Sequence, residues 1–321
     1  MADAKAKATD PSHHPRSFKY FRLLAVAKAM RFLIRRTVPL PVHDNPNVIR
    51  TDGVVPSRDQ GRDIRVRWYR PVGTDTEKSL PVLIHFHGSG FVIPLFGQDD
   101  EWCLMVAERG WLVVDADYRK APEHPFPLPC QDVEDVARHI IASVPHTTIS
   151  LSGFSAGGCL ALGLGVTLGP QVVRSVVTFY PSTDAKLDTS SEPPTKRRVS
   201  GTALPRFLIR HSAASYILPG TSVSLTNPLL SPAQAPVDAL PRHIWTCTGT
   251  ADPLYVGAET FMKRLQSEGH PDAVFKSVEG AGHGFVQIAS PVKPDPRAGE
   301  VYEEAVAFLL NSIKDDMGSD M

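Results

Sequence analysis

The sequence lacks the features that mark a disulfide-rich, secreted or membrane-spanning protein. Its cysteines, Cys103, Cys130, Cys159 and Cys247, are far apart and form no CxxC pair, so they indicate neither a zinc site nor a disulfide framework. No uninterrupted run of 18 or more apolar residues occurs. The first 16 residues have no apolar core or cleavage site typical of a secretory signal. Together these absences predict an intracellular, cytoplasmic protein.

Net charge is absent as well. The 34 Lys and Arg residues balance the 34 Asp and Glu residues, so no overall field attracts a polyanion, and we expect no nucleic-acid partner. Hydrophobic residues make up 42% of the chain and charged residues 21%, which is typical of a globular protein. A length of 321 residues allows one large domain or two smaller ones.

A basic helix is predicted near the N-terminus. Ser17 is a suitable N-cap, and residues 17–36 carry apolar side chains at helical spacings. The interpretation we favour is that the helix lays its apolar side over the body of the protein and leaves its charges in solvent. The alternative is contact with a membrane surface, because the segment is rich in Lys and Arg.

From about residue 48 onward, short β-rich runs alternate with helical patterns, the order that is typical of a mainly parallel sheet covered by helices. Helical patterns at 131–143 and 257–268 separate some of the strands, whereas residues 184–226 interrupt the alternation and predict a loop or a lid. The predicted strands number eight: VIRTDGVV, DIRVRWYR, PVLIHF, WLVVDAD, TISLSG, RSVVTFY, RHIWTCTG and AVFKSVEG.

The segment LSGFSAGG, residues 151–158, places Ser155 in a GxSxG motif between a strand and a helix. In this context the serine sits on a sharp turn with its hydroxyl exposed at the end of the sheet, and the helix N-terminus adds positive potential. Without that context the motif would indicate only a glycine-rich turn. The strand and helix favour a nucleophilic serine.

A serine nucleophile requires a histidine base and an orienting carboxylate. His283 lies in EGAGHGF after the last predicted strand, and it is favoured over His243, which begins a strand, and His270, which lies in a polar turn. Asp252 lies at the carboxyl end of the seventh strand, where catalytic groups collect in open α/β sheets. Asp184, after the sixth strand, is a weaker candidate for the acid.

Acyl transfer also needs hydrogen-bond donors for the oxygen that becomes negative. The segment HFHGSGF follows the third predicted strand directly, and the backbone N–H groups of Gly88 and Ser89, with that of Ala156, are the predicted oxyanion hole. His87 is expected to organise this loop through side-chain hydrogen bonds and to transfer no proton.

Taken together, the motifs resemble those of the hormone-sensitive lipase, or HGGG, group of esterases within the α/β-hydrolases. The resemblance covers about residues 60–312 and implies that Ser155, Asp252 and His283 are nucleophile, acid and base. It also implies a cap built from the N-terminal helix and the insertion after the sixth strand. The motifs that carry it are HGSGF at 87–91, DYRKAPEHPFPLP at 117–129, GFSAGG at 153–158, NPLLSP at 227–232, GTADPLY at 249–255 and GAGHGF at 280–285.

Two residues depart from the family pattern. Ser89 stands where HGGG has a glycine, so a Cβ and a hydroxyl enter the oxyanion loop, and Phe154 stands where GDSAGG has a carboxylate. We expect the first change to affect the geometry of the loop and the second to affect packing or substrate preference. Polar residues of the 117–129 block are expected to be framework: Tyr118, Arg119, Glu123 and His124.

The sequence therefore predicts an α/β-hydrolase that cleaves carboxylic esters of small to medium acyl chains, with no metal or organic cofactor. Acyl transfer or lactone opening are alternatives with the same chemistry, and a ligand receptor on a hydrolase fold is an alternative of another class. The oligomeric state is not predicted. The predicted division is a tail and cap helix at 1–45, a catalytic domain at 46–183 and 227–314, a cap insertion at 184–226 and a C-terminal tail at 315–321.

Overall fold

The computed structural model describes residues 17–38, 40, 42–287 and 295–314. Eight strands form one sheet in the order β1-β2-β4-β3-β5-β6-β7-β8. β2 pairs antiparallel with both β1 and β4, and every other pairing is parallel, which confirms the predicted mostly parallel sheet. The strands are β1 (Val48–Pro56), β2 (Asp63–Pro71), β3 (Leu80–Phe86), β4 (Leu112–Ala116), β5 (His146–Phe154), β6 (Val173–Phe179), β7 (His243–Gly249) and β8 (Asp272–Val278).

Helices cover both faces of the sheet because its central strands are apolar on both sides. On β6, for example, Val176 belongs to one core cluster and the next residue, Val177, to the other. Helices α3, α4 and α7 supply side chains to the first cluster, and α2 and α8 supply them to the second. The helices are α1 (Phe18–Thr37), α2 (Asp100–Glu108), α3 (Leu128–Ser143), α4 (Ala156–Leu168), α5 (Ala185–Ser190), α6 (Arg206–Tyr216), α7 (Tyr255–Ser267) and α8 (Ala298–Lys314).

The N-terminal helix begins as predicted, with the hydroxyl of Ser17 accepting a hydrogen bond from the Tyr20 N–H at 3.2 Å. As expected, one apolar side of the helix lies on the body and most of its charges are in solvent, but a second apolar side was not expected. Leu23 and Ala27 are buried, but several large apolar side chains of α1 remain exposed to solvent. The physical reason is that apolar residues lie all around this helix, so that one contact with the body cannot cover them.

α1 packs against α6, which lies with α5 in the predicted insertion at 184–226. The division into tail, cap and catalytic segments stays a prediction, and most of the predicted N-terminal tail and all of the C-terminal tail at 315–321 lie outside the described residues. Among the residues that the structure describes, no helix has the length and apolar character needed to cross a bilayer.

Candidate active site

Ser155 occupies a strained turn between β5 and α4. Its backbone has φ 53° and ψ −117°, a conformation that a residue with a Cβ rarely adopts. The two motif glycines are required by close backbone approach: a Cβ on Gly153 would lie 2.2 Å from the carbonyl oxygen of Gly157, and one on Gly157 would lie 2.0 Å from that of Phe86. The GxSxG pattern therefore follows from the crowding at this turn.

The hydroxyl of Ser155 contacts a histidine that in turn contacts a carboxylate. Ser155 Oγ lies 2.9 Å from His283 Nε2, and His283 Nδ1 lies 2.8 Å from Asp252 Oδ2. Asp252 is fully buried, whereas Ser155 and His283 are partly exposed. In this arrangement the imidazole can accept the serine proton while the carboxylate stabilises the imidazolium.

Neighbouring backbone groups hold the acid and the base in position. The other carboxylate oxygen of Asp252 accepts a hydrogen bond from the Leu254 N–H at 2.9 Å, at the turn between β7 and α7. The Thr202 N–H donates to the carbonyl oxygen of His283 at 2.6 Å, so the insertion touches the loop that carries the histidine. The Tyr180 ring packs on the imidazole with 4.7 Å between ring centroids.

The two histidines that the sequence made less favoured as the base, His243 and His270, have other partners. His243 Nδ1 lies 2.7 Å from the Asp272 carboxylate, and His270 Nε2 lies 2.9 Å from the carbonyl oxygen of Pro241. Asp184, the weaker candidate for the acid, caps α5 by accepting hydrogen bonds from backbone N–H groups. The structure thus brings together the three residues that the sequence favoured and engages the alternatives elsewhere.

The predicted oxyanion donors lie beside the nucleophile. Gly88 and Ser89 follow β3, and a Cβ on Gly88 would lie 3.5 Å from the Cβ of Ser155. Within the described residues, neither of their N–H groups donates a hydrogen bond to another group. Ala156 is the first residue of α4, where a helical N–H has no partner within its own helix. These three donors are therefore available to an oxygen at Ser155.

Ser89 fits the oxyanion loop through its hydroxyl. Ser89 Oγ accepts a hydrogen bond from the Phe91 N–H at 2.8 Å and lies 2.7 Å from the Tyr118 hydroxyl, which donates to the carbonyl oxygen of His87 at 2.7 Å. The loop has its positive φ angles at Gly90 (53°) and Phe91 (61°) and not at Ser89. A side chain at position 89 therefore costs no backbone strain.

Phe154, the second departure from the family pattern, points into the core. Its ring stacks on Phe179 with 4.5 Å between centroids and meets Tyr180 edge-on at 5.7 Å. The ring is fully buried and is not part of the cavity wall. The replacement of a carboxylate by Phe154 thus adds to aromatic packing behind the nucleophile.

A cavity of about 310 Å³ opens beside Ser155 and His283. Most of its wall is apolar, and the elements that supply it include α1, through Met30 and Ile34, and α6, through Leu208. Other apolar lining residues are Phe91, Leu204, Ile209, Tyr216, Ile217 and Leu230. Such a wall favours apolar groups on either side of a reacting bond.

Asp188 is a buried acid of the cavity wall that the sequence did not reveal. Burial raises the pKa of its carboxyl to about 8, the neighbouring Asp184 and Asp252 add to this effect, and a 2.6 Å hydrogen bond from the Ser182 hydroxyl opposes it. The carboxyl of Asp188 is therefore mostly protonated at pH 7 and adds little negative charge near Asp252.

Arg31 ties α1 to the loop that follows the oxyanion residues. Its guanidinium donates two hydrogen bonds to the Glu123 carboxylate, at 2.7 and 2.8 Å, and single bonds to the carbonyl oxygens of Val92 and Ala121. Glu123 thus has the framework position that the sequence predicted. Its partner, 92 residues earlier in the chain, could not be identified from sequence.

Comparisons with known proteins identify the fold family of this chain. A family model described as alpha/beta hydrolase fold matches residues 83–287, which is more than half of the chain. The chain belongs to the α/β-hydrolase fold family. The predicted fold class and family are thereby confirmed.

Relatives of this α/β-hydrolase include enzymes named for ester chemistry. The chain is 32% identical over 182 residues to probable carboxylesterase 7 of Arabidopsis thaliana, a match that covers 50% of the chain but only 57% of the relative. It is 26% identical over 260 residues to an ethyl acetate hydrolase of Pseudomonas putida, with 78% and 79% covered. A solved esterase of Pyrobaculum calidifontis has a TM-score of 0.68 and 27% identity, with 92% of this chain and 93% of that chain covered.

The chain thus spans little more than half of the length of the plant relative. The comparisons identify the family of this α/β-hydrolase but do not test the roles of its individual residues. Within the described residues, no group of three or more His, Cys, Asp or Glu side chains is arranged to hold a metal ion.

Proposed function

We propose that this α/β-hydrolase cleaves carboxylic esters through an acyl-enzyme on Ser155. The observation that carries the proposal is the contact series Ser155 Oγ, His283 Nε2, His283 Nδ1 and Asp252 Oδ2, with distances of 2.9 and 2.8 Å. A serine hydroxyl becomes a strong nucleophile when a base in this position takes its proton. The names of the plant, Pseudomonas and Pyrobaculum relatives support ester chemistry.

In the first half-reaction, Ser155 Oγ attacks the ester carbonyl carbon while its proton passes to His283 Nε2. The carbonyl oxygen becomes an oxyanion that accepts hydrogen bonds from the N–H groups of Gly88, Ser89 and Ala156. The oxyanion then collapses, the bond from carbon to the alcohol oxygen breaks, and His283 gives its proton to the departing alkoxide. Asp252 stabilises the transient imidazolium.

In the second half-reaction, water attacks the acyl carbon and His283 accepts one of its protons. Collapse of the second oxyanion breaks the bond to Ser155 Oγ, which recovers its proton from His283, and the carboxylic acid leaves. Each half-reaction uses the same donors and the same base, so no residue outside the group already described is needed for proton transfer.

Small to medium acyl esters are the proposed substrates. A largely apolar cavity of about 310 Å³ supports this size class, since its walls from α1 and α6 would contact aliphatic groups and exclude water from them. Transfer of the acyl group to another alcohol, and the opening of a lactone, would use the same acyl-enzyme. The cap insertion at 184–226 and a cytoplasmic location remain part of the proposal, and the four free cysteines support the location.

A series of p-nitrophenyl esters from acetyl to long acyl chains tests the proposal. Wild type should cleave short and medium chains with a maximum below the longest ones, and Ser155→Ala should be inactive on all of them. Mass spectrometry of the products distinguishes hydrolysis, which gives free acid, from transfer to an added alcohol. Activity of Ser155→Ala equal to that of wild type would overturn the proposed mechanism.

A further inference from the structure

Helix α1 exposes an unusual amount of apolar surface. Phe18 is 84% exposed, Phe32 62% and Leu33 61%, and Phe21 is also mostly in solvent. Single exposed apolar residues are normal on a protein surface, but a group of large ones on one helix marks an interaction site.

The three exposed phenylalanines belong to an outward stripe. Phe18, Phe21, Ala25, Ala29 and Phe32 follow one another at intervals of three or four residues, so they lie along one side of the helix, and all of them are exposed. The residues that face the protein form a second stripe with the same spacing: Leu23, Ala27, Met30 and Ile34. The helix therefore has two apolar sides, and the residues that the structure describes cover one of them.

The outward side of α1 is strongly basic. The helix contains no Asp or Glu, and Arg31 is the residue that bonds the body of the protein. Within the described residues, no ion pair joins the remaining basic side chains of α1 to an acid, and the guanidinium of Arg36 lies 3.7 Å over the ring of Phe32. These side chains are Lys19, Arg22, Lys28, Arg35 and Arg36.

We propose that the outward side of α1 docks on an anionic lipid surface. A helix with apolar side chains interleaved with Lys and Arg lies in the plane of such an interface, because the apolar groups enter the acyl boundary and the cations contact the headgroups. A second copy of this chain fits the surface less well, since two identical helices would bring Arg22 and Arg36 against like charges.

Docking would bring the cavity close to the lipid. Met30 and Ile34 of the same helix line the cavity beside Ser155, so one side of α1 would contact lipid while the other forms a wall of the cavity. An apolar ester dissolved in the lipid would then have a short path to the cavity. Lipid binding itself does not depend on the proposed ester hydrolysis, so it is tested without substrate.

Flotation of the full chain with vesicles tests the proposal. Wild type should float with vesicles that contain about 30% phosphatidylserine, at least about tenfold more strongly than with phosphatidylcholine alone. The double variant Phe18→Ser, Phe32→Ser should lose about tenfold in binding. The triple variant Arg22→Gln, Lys28→Gln, Arg36→Gln should bind the anionic vesicles much more weakly and with little dependence on salt.

A matched control changes exposed apolar residues on another surface. Val72 follows β2, which runs antiparallel to its neighbours, and Val172 precedes β6. Both therefore lie at the amino ends of the parallel strands, away from Ser155, and both are exposed. The variant Val72→Ser, Val172→Ser should float like wild type, and thermal unfolding verifies that all variants fold.

Two results would overturn the proposal. The first is that the wild-type protein does not float with anionic vesicles. The other is a dimer in solution that the Phe18→Ser, Phe32→Ser variant converts to a monomer while vesicle binding is unchanged, which would assign this side of α1 to a second copy.

Discussion

The hydroxyl of Ser89 belongs to a chain of hydrogen bonds that a glycine could not complete. It accepts from the Phe91 N–H, and because the Tyr118 hydroxyl donates its one proton to the His87 carbonyl oxygen, Ser89 must donate to Tyr118. The chain fixes the loop whose N–H groups we propose as oxyanion donors. Ser89, which departs from the family pattern, thus stabilises the oxyanion loop through hydrogen bonds that a glycine could not make.

Replacement of Ser89 by Ala should lower kcat/KM for a short ester by about tenfold, because the buried Phe91 N–H loses its acceptor and the loop loosens. Steady-state kinetics on a p-nitrophenyl ester measures the change. Ser212→Ala, a serine in the same cavity wall, is the matched control and should change kcat/KM little. If Ser89→Ala and Ser212→Ala behave alike, the hydrogen-bond chain does not support the loop.

Much of the site could be predicted from sequence because its chemistry is local to short motifs. Ser155 follows β5 directly, and Asp252 and His283 lie within five residues of the ends of β7 and β8. Strand order and motif context therefore predicted the grouping that the structure has. The supports could not be predicted in this way. The contact between Ser89 and Tyr118 depends on two loops meeting, and nothing in either segment specifies the distance between them.

At the scale of the element, Arg31 bonds α1 to the catalytic body with four hydrogen bonds, in addition to the apolar contacts of Leu23 and Ala27. Arg31 bonds Glu123 with a fork of two N–H groups and reaches the carbonyl oxygens of Val92 and Ala121. The Val92 N–H in turn donates to the Ser89 carbonyl oxygen. The position of α1 and that of the oxyanion loop are therefore coupled.

The variant Arg31→Gln should lower kcat/KM by about tenfold or more and lower the midpoint of thermal unfolding, because it leaves Glu123 and two carbonyl groups without a strong donor. Arg35→Gln on the same helix is the matched control. Both are assayed with a water-soluble ester so that lipid contact has no influence. Equal kinetics for the two variants would mean that α1 does not position the loop.

The strands and the N-cap of α1 were predictable because periodicity and capping are local signals. Each predicted strand overlaps an observed one, from Val48–Pro56 to Asp272–Val278. The side of α1 that packs on the body was not predictable. Its apolar residues lie on two sides, and the sequence does not show which of them contacts the rest of the protein. The short helix Ala185–Ser190 was not predicted either, because its polar sequence has no helical periodicity.

At the scale of the whole molecule, the centre of the sheet encloses a carboxyl group that should make stability depend on pH. Burial raises the pKa of Asp115 on β4 to about 7. Nearby His85 lowers this pKa, Asp99 and Asp117 raise it further, and Arg67 lowers it. Neither carboxyl oxygen of Asp115 has a hydrogen-bond partner among the described residues.

Because the folded pKa of Asp115 lies above the unfolded value of about 4, the folded state holds its proton where the unfolded state has lost it. This group therefore lowers stability progressively as pH rises from about 4 to about 7, and its effect is then constant. Between pH 5 and pH 8, wild type should lose about 2 kcal/mol more of its unfolding free energy than Asp115→Asn. Urea unfolding at both pH values measures this, and equal losses would contradict the assignment.

The central claim is that Ser155 is the activated nucleophile of an esterase. The measurement that tests it most directly is labelling of the intact protein with a fluorophosphonate, followed by mass spectrometry of the peptide that carries the label. We predict one label per chain on Ser155, no label on Ser155→Ala, and unchanged labelling of Ser212→Ala. A wild-type protein that is folded but takes no label, or that takes it on another serine, would contradict the account.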